Sequence, residues 1–159
     1  MEVKTIASFT IDHDLLEPGI YVSRIDGDVT TFDLRTRKPN CGDYMDNLTM
    51  HSLEHMFATF IRNSNIGGNV VYFGPMGCQT GFYLLVDGSK LDHQGAIWLM
   101  RQVCDLGALY QGEMPGKSEY ECGNYRNLDV DLARELCAYY GQILSHWTVE
   151  KLQYESSCV

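Results

Sequence analysis

The chain has 159 residues, of which 45% are apolar and 21% charged, a globular rather than a disordered composition. Twelve Lys and Arg against 21 Asp and Glu give a net charge of −9. That surface repels phosphate backbones and anionic lipid, and no run approaches the ~18 apolar residues of a bilayer span, so nucleic acid and membrane are excluded as partners.

A chain of this length is expected to form one domain, residues 1–159, able to bury a core without disulfide staples. Met1-Glu2-Val3-Lys4-Thr5 shows no basic segment leading into an apolar run, so no secretory leader is read. The six cysteines, Cys41, Cys78, Cys104, Cys122, Cys137 and Cys158, are then expected as reduced thiols in a cytoplasm.

Residues 5–12 (TIASFTID) are β-prone without clean alternation, and residues 18–24 read as extended. Residues 28–35 alternate well, with Val29, Phe32 and Leu34 as apolar positions, and Pro39-Asn40 ends the segment. Over 47–63, Leu53, Met56, Phe57, Phe60 and Ile61 fall on one helical stripe. Asp46, Asn47 or Thr49 can cap its start. Residues 69–73 and 81–86 read as strands joined by a Gly- and Pro-containing turn. A second helix follows Ser89, with Ala96, Leu99, Met100, Val103 and Cys104 facing inward. Residues 110–127 are broken by Gly112, Pro115, Gly116 and Gly123 and read as loop. A third helix runs from about Asp129 to His146, with Leu132, Leu136, Tyr140, Ile143 and Leu144 on one side. The order strand, helix, strand, strand, helix predicts a two-layer α+β domain, with helices on one face of a mainly antiparallel sheet.

The chemistry begins on the first helix, at His51-Ser52-Leu53-Glu54-His55. At ~100° per residue, Glu54 lies about 60° to one side of His51 and His55 about 40° to the other. Two imidazoles four residues apart can chelate one divalent ion, and Glu54 is close enough to move protons beside it. The pattern is also the H-x-x-E-H signature of the inverted zinc peptidases. A catalytic ion needs a third protein ligand and an open position. The loop Ser118–Asn124 offers Cys122, Glu121 and Glu119. A thiolate is the stronger soft ligand, whereas a peptidase would use a glutamate.

Cys78 lies in Pro75-Met76-Gly77-Cys78-Gln79-Thr80-Gly81, between the two later strands. Glycines on both sides allow a ligand to approach the backbone. The two readings for such a thiol are a buried structural residue and a reactive group. The other cysteines carry no assigned chemistry.

H-S-L-E-H, P-M-G-C-Q-T-G-F-Y and E-C-G-N, in this order and spacing, resemble the S-ribosylhomocysteine lyase (LuxS) family. The segments S-F-T-I-D-H and F-D-L-R-x-x-x-P-N fit as well, and the resemblance covers residues 6 to 155. It implies a core shared with the inverted metallopeptidases. It implies that His51, His55 and Cys122 hold one divalent metal, iron(II) natively and replaceable by zinc or cobalt. Cys78 and Glu54 would be the acid/base pair. Ser8, His13, Arg35 and Arg62 would bind substrate, with Ser8 and His13 reaching in from the partner of a homodimer that shares its active sites. The implied reaction splits S-ribosylhomocysteine into homocysteine and 4,5-dihydroxy-2,3-pentanedione, the autoinducer-2 precursor used in quorum sensing. It belongs to the activated methyl cycle and proceeds by carbonyl migration and β-elimination. One departure stands out: Tyr72 occupies the position, six before the reactive cysteine, where many members carry an aspartate. The competing reading is a small metallopeptidase of the H-x-x-E-H type.

Overall fold

A computed structural model describes residues 3–155; Cys158 lies outside the described residues. Four strands and three long helices follow one another as β1 (Gly19–Asp26), β2 (Val29–Arg35), α1 (Asn47–Arg62), β3 (Val70–Pro75), β4 (Gly81–Asp87), α2 (His93–Ala108) and α3 (Val130–Ser145). The strands form one sheet in the order β1-β2-β4-β3, and every neighbouring pair is antiparallel. The architecture is α+β, as the element order predicts. Helix α1 carries the chain from β2 across β4 to the far edge at β3.

All three helices start on an aspartate whose carboxylate accepts from a backbone amide three residues on: Asp46 from Thr49, Asp92 from Gly95 and Asp129 from Leu132. Each carboxylate satisfies an amide that the first turn leaves without a partner, worth about 1 kcal/mol. Asp46 is thus the cap of α1 among the three candidates.

Alternation along β2 and β4 sends Phe32, Leu34, Phe82, Leu84 and Val86 to one face, all fully buried. Leu53, Met56, Phe57 and Ile61 of α1 meet them there, and Tyr140 of α3 closes the same core. The Phe57 ring touches Phe73, Phe82 and Tyr140 at centroid distances of 6.2, 6.1 and 6.0 Å. Each such side chain contributes about 2 kcal/mol of burial. Phe60 departs from the predicted stripe: it is half-buried, edge-on to Tyr110 at 5.5 Å.

Residues 5–12 form no strand. They hold a short 3-10 turn, Ala7–Phe9, with Ile6 and Phe9 exposed. A strand requires a ladder partner for its amides, and the first residue of the sheet ladder is Gly19, opposite Arg35. The opposite sheet face carries charge: Asp33 and Arg35, alternating with Phe32 and Leu34, are buried as an ion pair of 2.6 Å.

The chain after α3 is anchored rather than loose. Trp147 donates from its indole to the carbonyl of Ile20, and Tyr140 donates to that of Gly19. A Cβ on Gly19 would sit 2.2 Å from the Trp147 ring, so only glycine fits beneath it. Arg101 donates to the carbonyls of Leu144, Ser145 and Trp147, where α3 ends.

Candidate metal centre and reactive thiol

His51 and His55 stand on the polar face of α1, one turn apart, with ring centroids 4.6 Å from each other. The loop between α2 and α3 wraps over this face. Its Cys122 brings Sγ to 3.4 Å from His51 Nε2. One ligand atom from each of His51, His55 and Cys122 lies within 4.8 Å of the others, close enough to share one ion of ordinary bond length.

Both imidazoles are oriented by backbone. His51 Nδ1 is 2.8 Å from the carbonyl oxygen of Asn127, and His55 Nδ1 is 2.9 Å from that of Pro115. A carbonyl only accepts, so each Nδ1 carries the proton and each Nε2 is a free lone pair. Such outer partners fix the ring and raise its basicity toward a metal. Gly116 is required here. Its φ is +71°, and a Cβ on it would lie 2.8 Å from His55 Nδ1. The Ser52 hydroxyl, on the buried side of α1, accepts from the amide of Asp129 at 2.9 Å. It ties the helix that carries both histidines to the cap of α3.

Cys122 Sγ receives a hydrogen bond from the amide of Asn124 at 3.4 Å. Glu121, one of the two acidic alternatives, accepts instead from Ser118 at 2.6 Å and is exposed. Two nitrogens and one sulfur fit a divalent transition metal, and three protein ligands leave a position for a small molecule. Glu54 is half-buried on the same face, and its carboxylate makes no hydrogen bond or ion pair among the described residues.

Cys78 is exposed at the tip of the β3–β4 connection. The turn closes by a bond from the Gln79 amide to the Met76 carbonyl. The left-handed position is Gln79, at φ +64°, rather than a flanking glycine. Gly81 serves another purpose: a Cβ there would be 2.6 Å from the Leu34 carbonyl, so it lets β4 close on β2. Beside the thiol stands Arg35, whose Nη1 donates to Thr80 Oγ1 at 2.7 Å and lies 3.7 Å from Cys78 Sγ. Thr80 Oγ1 is itself 3.1 Å from that sulfur. Burial works against the Arg35 charge, but Asp33 more than offsets it and raises the guanidinium above its ordinary range. Arg35 is therefore a fixed cation at the thiol.

The Met45 amide donates to the Gln79 carbonyl, so the Cys78 turn is tied to the residue just ahead of the α1 cap. His51 and His55 lie in the first nine residues of the same helix. Other predicted residues are placed apart. Arg62 sits at the opposite end of α1, about 10 Å along the axis from His55, and donates to the Val70 carbonyl at 3.4 Å. Ser8 lines a cleft of about 610 Å³ on the charged sheet face with Tyr72, Tyr83 and Tyr154. His13 Nδ1 lies 2.9 Å from its own Ile11 carbonyl. His13 is not part of the His51, His55 and Cys122 group, and Ser8 shares its cleft with residues behind Cys78 rather than with that group. Sequence reasoning does not reach the carbonyls of Asn127 and Pro115, nor Asp33 and Thr80 behind Cys78. Only Asp33 carries a signal, an acid two residues from Arg35 on one strand face.

Comparison with known proteins gives the family. The model of the S-ribosylhomocysteinase (LuxS) family matches residues 6–150. The S-ribosylhomocysteine lyase of Desulfotalea psychrophila is 42% identical over 97% of this chain and 100% of its own length. That of Phocaeicola vulgatus is 43% identical over 96% and 98%, and that of Clostridium acetobutylicum 40% over 96% and 99%.

Proposed function

The chain belongs to the S-ribosylhomocysteinase (LuxS) family, and on that premise we propose how its residues divide the work of a carbon–sulfur lyase. The reaction cleaves the thioether of S-ribosylhomocysteine, releasing homocysteine and 4,5-dihydroxy-2,3-pentanedione, the autoinducer precursor. The observation that carries the reading is the convergence of His51, His55 and Cys122 within 4.8 Å, both histidines oriented from behind and one position left open. The peptidase alternative is not favoured, since it asks for a carboxylate where Cys122 stands.

A C–S bond at C5 of an aldose is unactivated. With a ketone at C3, the hydrogen on C4 becomes acidic, and the thiolate leaves by β-elimination. The carbonyl must therefore move from C1 to C2 to C3. His51, His55 and Cys122 would hold a divalent ion, iron(II) in the cell with zinc or cobalt as replacements, and Glu119 and Glu121 are not needed. When bound, that ion supplies Lewis-acid polarisation of adjacent sugar oxygens, which acidifies the neighbouring C–H bonds. Cys78, as a thiolate stabilised by Arg35, takes a proton from one carbon and returns it to the next. Glu54 moves protons between the sugar oxygens and assists the elimination. General acid-base steps of this kind are each worth ~10²–10⁴-fold.

Residues 1–159 act as one catalytic unit in this reading, on a core of the inverted-metallopeptidase type. Ser8 and His13 serve the site of a partner subunit in a homodimer, and Arg62 faces the homocysteine end of the substrate. Tyr72, 53% exposed on the cleft that Ser8 lines, takes the place of an aspartate there. Among the described residues no helix is long and apolar enough to cross a membrane. A cytoplasmic location suits a thiolate and a ferrous ion that oxidation would disable.

The test is direct. Protein loaded anaerobically with iron(II) is mixed with S-ribosylhomocysteine, and free homocysteine thiol is titrated. Stoichiometric thiol release is expected; none under these conditions overturns the reading.

A further inference from the structure

Behind the Arg35–Cys78 contact lies a chain of polar groups, buried at Arg35 and Asp33 and half-buried at its far end, that the reaction does not itself require. Arg35 donates to both oxygens of Asp33, from Nε at 3.1 Å and from Nη2 at 2.6 Å. Asp33 is fully buried. Its Oδ2 accepts a further hydrogen bond, 2.8 Å long, from the hydroxyl of Tyr154. That tyrosine stands 121 residues away in sequence, beyond the last helical turn, Val149–Leu152.

Tyr154 is held where it is by independent contacts. Its ring stacks on Tyr21 of β1, centroids 5.1 Å apart and planes 19° from parallel. Tyr21 in turn meets Trp147 edge-on at 5.4 Å and donates to the Glu17 carbonyl. Burial first, then the Asp33 charge, raises Tyr154 above the ordinary tyrosine range, so its hydroxyl remains a proton donor. A lone carboxylate at this depth would be costly, and two donors on its Oδ2 share the charge.

We propose that Asp33 and Tyr154 are positioning residues for the Cys78 thiolate, acting through Arg35, and that the C-terminal segment is the strap that supplies the second of them. Arg35 divides one positive charge between Asp33 and Cys78. The Tyr154 hydroxyl takes up part of the Asp33 charge and so leaves more of the guanidinium field for the sulfur. Without it, Asp33 draws Arg35 more strongly and the thiolate is less stable. Arg35 of β2 and Tyr83 of β4 both interact electrostatically with Cys78, and Asp33 and Tyr154 lie behind them. This inference rests on the assignment of Cys78 as the acid/base thiol, and its test is independent of turnover.

Tyr154→Phe keeps the ring stacked on Tyr21 and removes only the hydroxyl. Metal-loaded wild type and variant are alkylated with iodoacetamide across a pH series, and modification of each cysteine is followed by peptide mass spectrometry. Exposed Cys41 is the internal reference. Tyr21→Phe, which loses the bond to Glu17 but keeps the stack, is the control. Alkylation of Cys78 at the lower pH values is expected to slow about threefold in Tyr154→Phe. Cys41 in every protein, and Cys78 in Tyr21→Phe, should be unmoved. A Cys78 profile that superimposes on wild type overturns the proposal, as does an equal shift in both variants, which would mean loosened packing. No substrate is present, so a failure of homocysteine release would not imitate either result.

Discussion

Five described cysteines are free thiols, and they occupy three kinds of surroundings. Cys104 and Cys137 are buried between α2 and α3, and burial pushes both thiols up, Cys137 to about 12. They stay protonated and inert. Cys41 is exposed in a loop. Cys122 faces the His51 nitrogen, and Cys78 faces a guanidinium. From these neighbours a panel of three substitutions has separable outcomes. Cys122→Ala should lose the metal together with activity. Cys78→Ala and Glu54→Gln should keep full metal content and lose at least ~100-fold in homocysteine release. Metal content by mass spectrometry and thiol release by titration check both halves. Full metal occupancy in Cys122→Ala would transfer the third ligand to Glu119 or Glu121.

At the scale of elements, the helix that carries the site depends on one hydroxyl outside the apolar stripe. Ser52 is fully buried, and its Oγ accepts from the amide of Asp129, whose carboxylate caps α3. Ser52→Ala leaves that amide without a partner, at about 1–2 kcal/mol. For a chain of this size the melting temperature should fall by about 3–6 °C. Metal affinity should fall with it, because Asn127, two residues before the cap, holds His51. Calorimetry and a competitive chelator titration check both; an unchanged melting temperature would remove the link. The helices themselves are legible in the sequence because apolar spacing at 3.6 residues and a capping aspartate are local signals. The His51, Glu54 and His55 face is legible for the same reason. The segment 5–12 misleads because β propensity says nothing about whether a neighbouring strand exists. The carbonyls of Pro115 and Asn127 are invisible, since every residue type has one. Tyr154 on Asp33 is equally hidden: nothing local links positions 121 residues apart.

For the whole molecule, the arrangement within one chain leaves part of the predicted site unaccounted for. His51, His55 and Cys122 gather over α1, while Ser8 lines a cleft on the charged sheet face with Tyr83 and Tyr154 and His13 is turned to its own backbone. Around Ser8 the surface is unusually apolar: Ile6, Phe9, Val71 and Tyr72 are each more than half exposed. An isologous pairing of two chains would cover such residues and could carry each N-terminal segment to the other's site. Sharing of this kind has a consequence that a site built within one chain lacks. Cys78→Ala and His13→Ala subunits should each be inactive alone. Co-expressed, they should form mixed dimers with one intact site, built from Cys78 of one chain and His13 of the other. Random pairing makes half the dimers mixed, so about a quarter of wild-type homocysteine release should return. If no activity returns although the two tagged subunits co-purify, His13 serves its own chain and the shared-site arrangement is wrong.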